Sequence, residues 1–159
     1  MTSAAPPVYT RPPHPVVASV AARLIAAGIA VGCLGVLVLA AGLEPAPAGL
    51  GTHRALGLQA CGYLARSGIP CPTCGMTTAF AHFARGDLPR SLYTQPLGAV
   101  LAAAAAMAVW GGAYVAATGR PAYRLLRLVP ARYYLPPLLA LAVLAWAWKI
   151  WVVVAARGG

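Results

Sequence analysis

Acidic side chains are almost missing from this chain: Glu44 and Asp87 are the only two in 159 residues, and they lie far apart. Without a carboxylate pair there is no acid/base couple for hydrolytic work. No Gly-rich phosphate loop follows a strand, and neither G-x-S-x-G nor H-E-x-x-H occurs. Classical hydrolase and nucleotide chemistry are thereby excluded. Charge is scarce altogether, at 9% of residues against 60% apolar, a balance that a soluble globular chain does not have. The net charge of +10 comes from 12 basic residues scattered between long apolar runs. No Lys/Arg block or interleaved aromatic stripe is present, so nucleic acid is not a partner and anionic headgroups are the simpler one.

What the chain has instead is apolar length. The runs Leu24 to Leu43, Leu97 to Ala117 and Leu135 to Ala156 each reach the roughly 20 residues that cross a hydrocarbon core as helix. Ala46-Pro47-Ala48 has the small-residue pattern of a signal cleavage site. The first run is long for a signal, however, and its leader holds only Arg11 and Arg23, so it reads as a span. In the third run Lys149 sits among Trp146, Trp148 and Trp151 near the helix end, the arrangement of an aromatic belt with a snorkelling amine.

The expected fold is therefore all-α: an integral membrane protein with three transmembrane helices and two short interfacial helices. Residues 1–15, with five prolines, read as a disordered tail, and 16–159 as a single membrane domain. Spans fall at about 24–43, 97–117 and 135–156, with a structured cysteine-bearing segment over 52–96. Within it, Thr52 is placed to cap a helix from His53 to about Ser67, stopped by Gly68. Around such a helix Cys61 shares a face with Gly57, Leu58, Leu64 and Ala65. A second short helix runs from about Gly75 to Arg85, with Met76, Ala79, Phe80, Phe83 and Ala84 on one side. Cys74, Thr77, Thr78, His82 and Arg85 lie on the other. Gly86 ends it, Asp87 caps a further turn, and Pro96 suits the start of the second span. The residues 118–137 form an Arg-rich membrane-surface connection. Its Arg density favours an N-terminus inside a cell (inner) membrane, with the cysteines at the outer side.

Cys33 lies mid-span and reads as a small packing residue. Cys61, Cys71 and Cys74, spaced C-x9-C-x2-C, are the redox or disulfide candidates, and three different single disulfides are open to them. A Cys-Pro-x-Cys-Gly turn also has the shape of a zinc knuckle, with His53 or His82 as further candidate ligands. Cys74, at a helix start, is expected to have a lowered pKa. A third alternative is a cysteine-lined turn that only joins two helices. The three cysteines are expected to converge, because Ser67-Gly68-Ile69-Pro70 can reverse the chain and lay the two short helices side by side.

The stretch "CGYLARSGIPCPTCGMTTAFAHFARGDLPRSLYTQP" resembles a bacterial membrane family, domain of unknown function 2752. That family's pattern is an upstream cysteine, C-P-x-C-G-x-T-R, a Gly-Asp pair and Asn-Pro. Here it falls on Cys61, Cys71, Pro72, Cys74, Gly75, Thr77, Gly86, Asp87 and Pro96. Thr78 stands where Arg is usual and Gln95 where Asn is usual. The resemblance implies no activity. The missing acid/base groups argue against an enzyme, and the expected function is a membrane-embedded assembly or packing protein with a structural cysteine cluster. The alternative is a thiol-redox or zinc-binding site acting in the membrane, zinc being the candidate cofactor. The lipid bilayer is the first partner, and the Gly/Ala-rich second span suits close contact with another membrane protein or a second copy.

Overall fold

The computed structural model describes residues 17–120 and 130–158. The proline-rich tail and most of the Arg-rich connection lie outside the described residues. Among the described residues every regular element is helical: α1 (Val20–Gly42), α2 (Gly62–Ser67), α3 (Met76–Ala84), α4 (Leu88–Thr94), α5 (Pro96–Thr118) and α6 (Ala131–Gly158), with a 3₁₀ turn over Thr52–Leu56. The expected all-α fold is what is found, and α1, α5 and Arg132–Ala156 of α6 are long and apolar enough to cross a membrane. In water their exposed faces, such as Leu24, Trp110 and Leu139, would be a liability; in lipid they are the solvent contact. The third helix begins at Ala131, before the expected Leu135, and carries Pro136 and Pro137 inside it.

Helices α1 and α5 run antiparallel and form the closest pair. Ser19 caps α1 by accepting from Ala22 N at 3.2 Å. At the same end Arg23 donates to the Ala116 carbonyl through Nε (2.9 Å) and Nη2 (2.7 Å), neutralising carbonyls that the end of α5 leaves open. Small residues let the backbones approach. A Cβ at Gly112 would meet Ala26 O at 2.6 Å and Ala30 Cβ at 3.0 Å, whereas one at Gly111 would meet nothing within 4 Å. Gly112 thus packs on α1 within the same chain, while Gly98 faces Ala79 and Met76 of α3. Gly112→Ala should destabilise the fold by roughly 1–3 kcal/mol, while Gly111→Ala should be neutral or stabilising by up to about 1 kcal/mol. Thermal unfolding of the two variants in detergent checks this, and equal midpoints would refute the packing account.

Between α1 and α5 the chain builds a compact layer at one end of the spans. The expected helix from His53 to Ser67 does not form as one piece. Gly57, at φ 76°, ends the 3₁₀ turn in the left-handed region, and a separate α2 starts only at Gly62. The expected sharing of one helical face by Cys61, Gly57 and Leu58 therefore fails. Thr52 is not a cap either, since Gly51 holds that position. It is buried, accepts from Ala46 N at 2.9 Å and bonds Thr78 Oγ1 at 2.8 Å, tying the connection after α1 to α3. Helix α3 forms as expected. Asp87 caps α4 by accepting from Arg90 N at 3.2 Å, and Pro96 is the first residue of α5.

Candidate functional site

The sulfurs of Cys61, Cys71 and Cys74 lie within 4.8 Å of one another, so the expected convergence is present. Its route differs from the expected one. Helix α2 is six residues long and does not pack along α3; Cys61 reaches the pair from the position just before α2. Cys71 to Gly75 form a turn that precedes α3 rather than belonging to it, and Gly75 closes that turn at φ 87°. Cys33, half-buried on α1, stays apart from the group.

Within the cluster, Cys71 Sγ is 2.9 Å from Cys74 Sγ and 3.3 Å from Thr73 Oγ1. Burial alone would push the Cys71 thiol up. Hydrogen bonds from Cys74, Thr73, Cys61 and the Thr73 backbone N–H outweigh it, and the pKa falls to about 7. Cys74 is the more deeply buried; burial first, then the bond to Cys71, pushes it up to about 12. This reverses the expectation for Cys74. The turn closed by Gly75 holds it off the helix proper, so burial decides its protonation rather than the helix start.

A cavity of about 560 Å³ opens beside the sulfurs. The three cysteines, Thr77 and His53 line it together with apolar side chains from the end of α1, among them Val36 and Leu39. His53 Nε2 is engaged with the Gln59 carbonyl at 3.1 Å. His82 is not brought to the cluster: it pairs with Asp87 at 3.6 Å, and Asp87 also holds Arg90 at 3.4 Å. Three cysteine sulfurs are thus the donor set that can hold a metal among the described residues.

Two residues that sequence reasoning did not place in the site support it. Gln95 is fully buried and its Nε2 donates to the Pro72 carbonyl at 2.8 Å, fixing the cysteine turn to the start of α5; its Oε1 has no partner among the described residues. Lys149 does not snorkel. Only 1% exposed, it donates from Nζ to the Gly49 and Thr94 carbonyls, each at 3.0 Å. Its neighbours are latches as well: Trp146 Nε1 donates to Pro70 O and Trp148 Nε1 to Tyr93 O, both at 2.9 Å. A lone ionisable residue inside a span was the available signal for Lys149. Of the remaining motif positions, Pro72 supplies the carbonyl held by Gln95, and Gly86 turns the chain between α3 and α4 at φ 81°.

Fold and site together define a helical membrane protein with three membrane-capable helices and a three-thiol cluster at one end of them. Residues 61–109 match the family described as "Protein of unknown function (DUF2752)", so the resemblance seen in the sequence is borne out over that segment. No curated protein and no solved structure matches the chain.

Proposed function

We propose that the cluster is a dithiol/disulfide site working at the surface of the membrane, with Cys71 as the attacking thiol and Cys74 as the resolving one. The Cys71–Cys74 pair carries this reading: two sulfurs 2.9 Å apart, one half-exposed with its pKa near 7 and the other buried and held protonated. A thiol of pKa near ambient pH is the most effective in exchange. The Cys71 thiolate attacks one sulfur of a partner disulfide, and the partner's S–S bond breaks to release one thiolate. Cys74 then attacks Cys71 of the mixed disulfide and releases the second. The partner gains two electrons and two protons, one proton from Cys74 and one from solvent, while Cys71 and Cys74 become the disulfide. With the N-terminus inside, as the Arg-rich connection favours, the cluster sits on the outer side, where disulfides persist.

A zinc-type thiolate centre is the second reading. Gly75 in the left-handed region, trailing the second cysteine of the Cys-Pro-x-Cys-Gly turn, favours it. Cys61, Cys71 and Cys74 would hold the ion, which would supply Lewis acidity or rigidity. The sulfurs would have to spread to about 3.8 Å apart for 2.3 Å tetrahedral bonds. The 2.9 Å pair therefore favours exchange over ligation.

Thiol alkylation of detergent-purified protein, read peptide by peptide with metal analysis of the same sample, separates these readings. In reduced protein Cys71 should alkylate first, with a midpoint near pH 7, and Cys74 should resist. After oxidation both should be protected until reductant is added. Stoichiometric zinc would replace exchange by the metal reading. Free alkylation of all three thiols without metal would leave only a packing role for the cluster.

A further inference from the structure

A second cavity, of about 860 Å³, shares no residue with the cysteine cavity. One wall is the last part of α6, where Trp151, Val152 and Ala155 belong to the segment able to cross a membrane. The rim is basic. Arg85, Arg90 and Lys149 face it against the single carboxylate of Glu44, with His82 beside them. Asp87, just outside the lining, is already engaged by Arg90 and His82. Arg85 spends only Nε, on the Ala41 carbonyl at 3.3 Å, so its two terminal nitrogens have no partner among the described residues. Lys149 also lines the cavity but is almost wholly buried and already donates to the Gly49 and Thr94 carbonyls, so the exposed cations are the two arginines.

A cationic rim above an apolar wall, at the level where the spans end, matches an anionic amphiphile. We propose that this cavity is a binding site for an anionic phospholipid, its phosphate held between Arg85 and Arg90 and one acyl chain lying along Trp151, Val152 and Ala155. Charge complementarity selects the headgroup. The apolar wall selects a lipid over a soluble phosphate, which would leave that wall uncovered. The occupant also has a structural place, because α6 packs sparsely on α5 and is held to the cysteine layer by the indole and lysine bonds already described. The inference is independent of the thiol chemistry.

The test uses the full chain, delipidated in mild detergent and titrated with phosphatidylglycerol or phosphatidylcholine. Thermal unfolding is one readout, and quenching of tryptophan fluorescence by brominated acyl chains, which Trp151 in the wall should report, is the other. Phosphatidylglycerol should raise the midpoint by several degrees beyond phosphatidylcholine and quench at lower concentration. The double variant Arg85→Gln with Arg90→Gln should weaken phosphatidylglycerol binding by roughly tenfold or more. Arg120→Gln, beyond the opposite end of α5, should leave it unchanged. Both cavity arginines are exposed, and the unliganded midpoint of the double variant checks that its fold is kept. Equal responses to the two lipids, or retained selectivity in the double variant, would overturn the site. So would inorganic phosphate reproducing the shift alone, since that result would assign a soluble anion. If the double variant cannot be purified, the two-lipid comparison on the unmodified chain decides.

Discussion

Gly75→Ala should dismantle the cysteine layer. A Cβ there would sit 2.8 Å from the Gly49 carbonyl oxygen and 2.8 Å from Lys149 Nζ, and the backbone is at φ 87°. Two costs then coincide. The left-handed conformation alone costs a non-glycine residue roughly 1–2 kcal/mol, and the clash is with a backbone atom that cannot swing aside. Together they should reach roughly 3 kcal/mol or more, a large share of the 5–15 kcal/mol that typically separates folded from unfolded. Gly57→Ala is the matched control: Gly57 has φ 76°, but its added Cβ would meet nothing within 4 Å. The control should show only the conformational cost. Thermal unfolding in detergent, with the amount of each variant accumulating in membranes, measures the difference; equal behaviour of the two would refute the account of Gly75.

The spans were legible because a lipid-exposed helix must satisfy its backbone internally over a fixed length, so apolar run length alone reports it. Asp87 and Pro96 were legible for a similar reason, since their local chemistry suits only a helix start. The stretch around Gly57 was not. Helical periodicity can be counted through a glycine, and nothing local says that this glycine will take a positive φ. The convergence of Cys61, Cys71 and Cys74 was visible in their spacing and the turn after Gly68. Its route was not, because it depends on where α2 begins. The lowered pKa expected of Cys74 was reversed because the sequence puts Cys74 next to a helix, while the fold puts it under cover. Lys149 and Gln95 were hidden more deeply. Their partners are the carbonyls of Gly49, Thr94 and Pro72, and a backbone carbonyl leaves no mark on the sequence.

Lys149→Met gives the two accounts of this lysine opposite signs. Were Lys149 a snorkelling residue at the end of a span, an apolar side chain of similar length would be neutral or favourable in lipid. As the buried donor to the Gly49 and Thr94 carbonyls, its loss leaves two acceptors unpaired. Each unmet acceptor costs roughly 1–3 kcal/mol when buried. It also removes the bonds that join α6 to both the connection after α1 and the end of α4, leaving those of Trp146 and Trp148 as its hydrogen-bond links to that layer among the described residues. The expected result is a markedly lower unfolding midpoint. Lys149→Arg should not rescue it, because Nζ already lies within 2.8 Å of the Cβ position of Gly75 and a guanidinium is bulkier. An unchanged or raised midpoint for Lys149→Met would refute the latch. The two glycine-side and lysine-side lesions also share one contact, so combining Gly75→Ala with Lys149→Met should cost less than the sum of the single changes. Strict additivity would mean that the cysteine turn and the third span are held independently.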